Sequence, residues 1–323
     1  MIKMMSLVGR PNFSFPFSSI TKAHPKSSAV LRYNNPNLIK MSSSISTLST
    51  GVGNEDSHSS TSSTGCERAS LSTSMLRKST DEEFSKEGLR KDLIPKHIAI
   101  ILDGNRRWLK EQGKPLDYMP FFHINHLFAD LCLKWGVSAA TTFIYSYDNL
   151  QRGKEANDLI FGQLERILED NLENYIRKKI RVSLIGERKE LPKSLQNVVK
   201  HVEEATSRKP NAQLLDWRLA VCYAGTRDIL QATRRLCEKA KAGLIEPNDI
   251  DAASFDLELS TAGTPTPQLL IRTGGELRLS DYLIWPLALA DYYFIPIQAP
   301  EFTEAHFLDA LRSFQQRDKK FGR

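Results

Sequence analysis

Six short apolar runs, set among helical patterns, constrain the architecture this chain can adopt. His97–Leu102, Val137–Tyr145, Arg181–Ile185, Leu214–Tyr223, Gln268–Arg272 and Tyr292–Ile297 each place β-branched or aromatic residues over a strand-sized length. Helical spacing of apolar residues fills Asp158–Lys178, Lys193–Ser207, Arg227–Lys241 and Thr303–Arg317. Strands alternating with helices predict an α/β fold, a mainly parallel six-stranded sheet flanked by helices. In such sheets ligands sit at the carboxyl ends of the strands. No G-x-G-x-x-G follows any of these strands, so a dinucleotide site is unsupported. No run of 18 apolar residues occurs either, so the sequence offers no transmembrane helix.

The most informative strand end is His97-Ile98-Ala99-Ile100-Ile101-Leu102-Asp103-Gly104-Asn105-Arg106-Arg107-Trp108. Asp103, Gly104 and Asn105 favour a turn or helix cap after the buried run. Arg106 and Arg107 then open a helix whose first N–H groups are free for an anion, and their guanidiniums suit phosphate oxygens. Asp103 has the wrong sign for such a pocket unless a divalent cation bridges it to the ligand, as Mg²⁺ does between carboxylates and substrate phosphates. The residues alone leave an ordinary solvated turn equally open. Ile271-Arg272-Thr273-Gly274-Gly275-Glu276-Leu277-Arg278-Leu279-Ser280 is a second anion candidate. Its two glycines allow close backbone approach, and Arg272, Arg278 and Ser280 offer donors on one loop.

These motifs resemble those of the cis-prenyltransferases, the undecaprenyl and dehydrodolichyl diphosphate synthase family. The resemblance runs from about Leu93 to Arg323 and keeps the family's motif order through Ser146–Arg152, Arg181–Gly186, Ile271–Glu276 and Pro300-Glu301-Phe302-Thr303. It implies the cis-prenyltransferase fold, Mg²⁺ as cofactor, a homodimer, and Asp103 as metal ligand and catalytic residue. Gly104, Asn105, Arg106 and Arg107 would hold the allylic diphosphate, with Ser146 and Asn149 beside the reacting carbons and Arg152 in support. Arg272, Arg278 and Ser280 would bind the second diphosphate, normally isopentenyl diphosphate. Asp291 stands where the family has a metal-binding Glu. Phe121, Phe122, Leu127, Phe128, Leu131 and Trp135 fall on a segment that lines the product tunnel in the family, although each is equally a core side chain.

Departures from the family pattern narrow the chemistry. Asp148 replaces Glu and Leu150 replaces Trp. Leu116 stands at a polar position, Met119-Pro120 replaces the expected Gly-His, and His123 comes three residues late. Cys222-Tyr223-Ala224-Gly225 takes the place of Asn-Tyr-Gly-Gly, Leu277 replaces a polar residue, and Lys320-Phe321-Gly322 lacks the guanidinium of Arg-x-Gly. Leaving-group residues are kept while those handling the second substrate have drifted. The resemblance therefore implies a short-chain synthase joining two dimethylallyl diphosphates head to middle, as in the lavandulyl branch. The alternatives are a neryl-type enzyme using dimethylallyl and isopentenyl diphosphate, a long-chain polyprenyl synthase, and a non-catalytic partner subunit.

The net charge of +6 would suggest nucleic acid, but its location does not. Residues 1–54 hold Lys3, Arg10, Lys22, Lys26, Arg32 and Lys40 with no acid, which leaves 38 basic against 38 acidic residues elsewhere. A basic, Ser-rich, acid-free leader lacking an apolar core is the composition of an organelle transit peptide. Residues 1–80 are thus expected to be a disordered plastid-targeting segment, cleaved between about Pro36 and Ser79, and residues 81–323 a catalytic domain working in the stroma. Cys66, Cys132, Cys222 and Cys237 show no C-x-x-C spacing, which argues against zinc and a disulfide framework.

Overall fold

The computed structural model describes residues 78–207 and 213–317. The expected leader, up to residue 77, and Lys320-Phe321-Gly322 lie outside the described residues. In chain order the elements are α1 (Asp81–Lys86), β1 (His97–Ile101), α2 (Asn105–Glu111), α3 (Met119–Lys134), β2 (Ala139–Ser146), α4 (Lys154–Asp170), α5 (Leu172–Lys178) and β3 (Ile180–Ile185). They continue with α6 (Lys193–Ser207), β4 (Leu215–Tyr223), α7 (Gly225–Lys241), α8 (Ala252–Asp256), β5 (Leu269–Arg272), β6 (Asp291–Phe294) and α9 (Glu304–Gln315).

The strands form one sheet in the order β3-β4-β2-β1-β5-β6, and every neighbouring pair is parallel. Each of the six expected strands is present, with ends shifted by a few residues. β1 is buried along its whole length, as a central parallel strand must be. Its period of two feeds two cores. Ile98, Ile100 and Leu102 face the larger one with α3, α4, α6 and α9, while Ala99 and Ile101 face a smaller one with Tyr223, Leu270 and Tyr282. No helix among the described residues is long and apolar enough to cross a membrane.

Some expectations are corrected. The single helix expected over Asp158–Lys178 starts earlier and breaks at Asn171, whose Nδ2 donates back to the Ile167 carbonyl at 2.9 Å. β6 stops at Phe294, since Pro296 cannot donate to a ladder. Of the expected tunnel residues, Phe122, Phe128, Leu131 and Trp135 are buried in the larger core and Leu127 packs against it, so only Phe121 reaches the cavity described below. Trp135 meets Phe84 of α1 edge-on at 5.1 Å.

The chain leaves β1 toward β2 on one side and reaches β5 on the other. The loops that follow β1 and β5 therefore part and open a crevice at their carboxyl ends.

Candidate active site

Asp103 and Arg272 form the floor of that crevice. Arg272 ends β5 and its side chain is 2 % exposed, while that of Asp103 is 35 % exposed. Arg272 Nη2 donates to Asp103 Oδ2 at 2.9 Å, and Nη1 donates to Ser280 Oγ at 2.8 Å and to the Arg278 carbonyl. Thr273 Oγ1 donates to the Asp103 carbonyl at 2.8 Å, and the Gly104 N–H donates to Asp103 Oδ1 at 2.7 Å. These bonds fix both side chains before any ligand arrives.

Two glycines make the close approach possible. Gly274 has φ +87°, and a Cβ there would lie 2.8 Å from Arg107 Nη2 and 3.0 Å from Asp103 Cβ. Its carbonyl accepts from Arg107 Nη2 at 2.8 Å. Gly104 has φ +104° and caps α2, with Gln298 Cα 3.0 Å from where its Cβ would be. Non-glycine residues also adopt left-handed backbone beside the site, at Ser280, Asp281 and Leu283. Ser280 is held by Arg272, and Asp281 accepts from the Thr226 N–H at 2.9 Å and from Thr226 Oγ1 at 2.7 Å at the start of α7.

The crevice encloses about 400 Å³. Its lining gathers Asp103, Gly104, Asn105, Arg106, Arg107, Ser146, Asn149, Arg152, Arg272, Arg278 and Ser280, which are the sequence-derived site residues apart from Asp291. Five guanidiniums against one carboxylate make the lining anion-selective. The remaining wall is apolar and aromatic: Ile101, Leu102, Tyr118, Phe121, Phe143, Ile144, Tyr145 and Ile160. Charge stabilisation and water exclusion in one cavity are what ionisation of an allylic diphosphate requires.

Asp291 does not join this group. It opens β6 in register with Leu269, at the amino end of β5, whereas Arg272 stands at the carboxyl end. Asp291 instead lies 3.4 Å from Arg317 Nη1. Parallel pairing puts it one strand length from Asp103, so the two carboxylates of one chain cannot share an ion. His123 is exposed on α3 and does not line the cavity, and Leu277 is 76 % exposed.

Mg²⁺ fits this donor set in a limited way. Among the described residues no group of three or more His, Cys, Asp or Glu could hold a metal. Asp103, partly exposed to the cavity with acceptor capacity to spare, suits an ion that brings diphosphate oxygens and water as its other ligands. Glu276, 3.6 Å from Arg107 and paired with Arg278, is the neighbouring carboxylate.

The turn that carries Ser146, Asn149 and Arg152 is braced from outside. Ser146 Oγ accepts from the Asn149 N–H at 3.2 Å, capping a short 3-10 turn over Tyr147–Arg152. The Tyr145 hydroxyl donates to the Asn149 carbonyl at 2.7 Å, and the Arg152 guanidinium lies 5.7 Å from the Tyr145 ring. Arg227 on α7 lies 3.9 Å over the Tyr147 ring and donates to Glu187 at 3.2 Å. Tyr118, Phe143, Tyr145, Ile160 and Arg227 escaped sequence reasoning. Phe143 and Tyr145 had one usable signal, a place at the carboxyl end of a predicted strand.

Comparison with known proteins agrees with this geometry. The family model described as "Putative undecaprenyl diphosphate synthase" matches residues 101–322. Dehydrodolichyl diphosphate synthase CPT5, chloroplastic, of Solanum lycopersicum is 44% identical over 238 residues, 72% of this chain and 75% of the relative. (2Z,6Z)-farnesyl diphosphate synthase CPT6, chloroplastic, of the same plant is 41% identical over 235 residues, 72% of this chain and 80% of that one. The crystal structure of lavandulyl diphosphate synthase from Lavandula x intermedia in complex with dimethylallyl diphosphate superposes with a TM-score of 0.66 at 32% identity, covering 72% of this chain and all of the other. The parallel sheet, the Asp103–Arg272 floor and the arginine-lined cavity thus come with sequence similarity along most of the chain, which belongs to the undecaprenyl diphosphate synthase family of cis-prenyltransferases.

Proposed function

We propose that this chain is a short-chain prenyl diphosphate synthase that joins two dimethylallyl diphosphates head to middle, as a lavandulyl-type enzyme. The observation that carries the reading is the cavity: five arginines and an aromatic wall line about 400 Å³. That is near the small end of the roughly 300–1,000 Å³ typical of small-molecule sites. Phe121 and Ile160, both buried, line it, and an apolar wall this small favours a ten-carbon product over a long polyprenyl chain.

In this reading Arg106, Arg107 and Arg152 hold the diphosphate of the ionising substrate. Its C1–O bond breaks, and diphosphate leaves with the electron pair. The second substrate's alkene forms the new bond to C1, and the cation so created loses a proton to the released diphosphate. Ser146 and Asn149 orient the reacting carbons, and Arg272 with Ser280 places the second diphosphate. Mg²⁺, held through Asp103, supplies Lewis-acid stabilisation of the leaving charge when bound. The aromatic wall keeps water from the cation.

Likeness to a farnesyl synthase supports a second reading, regular cis coupling of dimethylallyl and isopentenyl diphosphate to a linear product. Dimethylallyl diphosphate supplied alone with Mg²⁺ separates the two. Branched, lavandulol-type alcohol after dephosphorylation supports head-to-middle coupling. Linear product formed only when isopentenyl diphosphate is present refutes it. Relatives named chloroplastic, together with the basic leader, support work in the plastid stroma. Exposed Leu257, Trp285 and Leu289 beside a second cavity give a copy of this chain an apolar surface to pack on, consistent with a homodimer.

A further inference from the structure

A buried polar atom that lacks a partner calls for an explanation, and at a cavity wall one explanation is a ligand atom. Among the described residues, three side chains lining the active-site cavity keep such an atom: Asn105 Oδ1, Arg272 Nε and the Tyr118 hydroxyl. Asn105 and Arg272 already have roles in the reading above. The Tyr118 ring is part of the wall, but its hydroxyl has no role.

Tyr118 is 4 % exposed and precedes the first turn of α3. Its position is set from α4: its N–H donates to Gln163 Oε1 at 2.8 Å, and Gln163 Nε2 donates to Asp117 Oδ1 at 2.8 Å. The ring is therefore held in the cavity wall while its hydroxyl finds no protein acceptor. The two neighbouring positions offer nothing in its place, since Leu116 is apolar and packs against the core and Pro120 has no N–H. The surroundings choose the kind of ligand atom. Arg106, Arg152, Tyr118 and Tyr145 line the same cavity, and the Arg152 guanidinium lies 5.7 Å from the Tyr145 ring. A ligand atom drawn there carries negative charge, and a phenol beside it acts as donor.

We propose that Tyr118 contacts substrate directly, its hydroxyl donating a hydrogen bond to an oxygen of the diphosphate held by Arg106 and Arg152. The assignment rests on the diphosphate reading of the cavity and adds a residue to it. An unsatisfied buried hydroxyl costs the ligand-free protein stability that the ligand restores. Removing the hydroxyl should therefore weaken binding without weakening the fold, a combination that a structural tyrosine would not give.

The test compares the full chain with Tyr118→Phe and Tyr145→Phe, using inorganic pyrophosphate with Mg²⁺ as the probe in calorimetry and thermal melts without ligand as the second readout. Tyr118→Phe should bind pyrophosphate about ten-fold more weakly, the loss expected for one hydrogen bond to a charged group, with an unchanged or higher Tm. Tyr145→Phe should lower Tm, because the Tyr145 hydroxyl donates to the Asn149 carbonyl at 2.7 Å and to Asn157 Oδ1 at 2.5 Å. Equal pyrophosphate affinity in Tyr118→Phe and the parent would overturn the role of Tyr118 and leave the diphosphate site standing. So would a Tm loss in Tyr118→Phe matching that of Tyr145→Phe. A parent protein that does not bind pyrophosphate would remove the diphosphate reading and this proposal together.

Discussion

Arg272 and Asp103 meet at 2.9 Å across the carboxyl ends of β5 and β1, with the guanidinium buried and the carboxylate about one-third open to the cavity. One side chain of the pair is structural on one side and chemical on the other. Arg272 spends Nη1 and Nη2 on Ser280, Arg278 and Asp103, so its charge is fixed in place before substrate binds. Preorganised charge of this kind costs no rearrangement during reaction.

Replacing Asp103 by Asn should therefore act twice. Turnover should fall far more than KM rises, with a loss of several kcal/mol in transition-state stabilisation. The fold should also lose about 1–2 kcal/mol, less than for a fully buried pair because Asp103 is partly solvated. Steady-state kinetics and denaturant titration of the same variant measure both. Near-parental turnover would remove Asp103 from the chemistry.

Gly274→Ala should be among the most damaging small changes in the protein. Its φ of +87° is strained for any L side chain, and the new methyl would press on Arg107 and Asp103. A destabilisation of about 1–2 kcal/mol follows from the backbone alone. Activity should drop further, since a shift of about 1 Å at a positioned site can cost roughly 100-fold. Gly88→Ala, also at positive φ but with open space around its Cβ, is the control that separates backbone strain from displacement of the site.

Truncation should reveal where the fold begins. The Ser79 N–H donates to the Lys134 carbonyl at 2.8 Å, and Thr80 forms a capping box with Glu83 at the start of α1. Removing residues 1–77 should leave activity and Tm intact. Removing three more residues takes both features away and should cost about 0.5–2 kcal/mol, the usual worth of a helix cap. Thermal melts of the two truncated proteins decide it.

Acid should weaken the fold through two buried histidines. His97 donates from Nδ1 to the Pro265 carbonyl and accepts from Thr141 at Nε2, and His126 is held likewise between the Phe122 carbonyl and Tyr175. Burial lowers each to about 4 from 6.5. Between those values the unfolded chain binds protons that the folded chain refuses, so stability is full above about pH 6.5 and declines as pH falls toward 4. Each histidine contributes about 3 kcal/mol to that decline. Denaturant midpoints at pH 7 and pH 5 should differ accordingly, and His126→Gln should flatten the slope.

Much of this was legible from residues alone. The strands announced themselves because buried parallel strands are apolar throughout, and Asp103 and Arg272 could be placed because they end such strands. α3 was harder to read: Met119–Lys134 is apolar on most sides, so no polar face marked its period. That Asp291 lies a strand length from Asp103 was not legible, because a motif gives order along the chain but not which end of a strand a residue occupies. Tyr118 carried no sequence signal at all, since a tyrosine facing a cavity and one facing a core look alike in one dimension. Left-handed backbone at Ser280 and Asp281 was equally hidden, because it goes with side-chain contacts, to Arg272 on the same loop and to Thr226 far back in the chain, that the sequence does not display.

The order of the strands also bears on when the protein can first work. β1 is made early, yet one of its two neighbours is β5, and Asp103 waits for a partner 169 residues downstream. Until the ribosome has delivered that stretch, β1 has an open edge and the cavity has no second wall. A nascent or threaded chain is then catalytically silent however much of its amino-terminal half has folded. Pairings this distant in sequence form slowly. The interval in which β1 is unpaired along β5 is when this protein most needs a chaperone, and a chain stalled before residue 272 would be prone to aggregate along that edge.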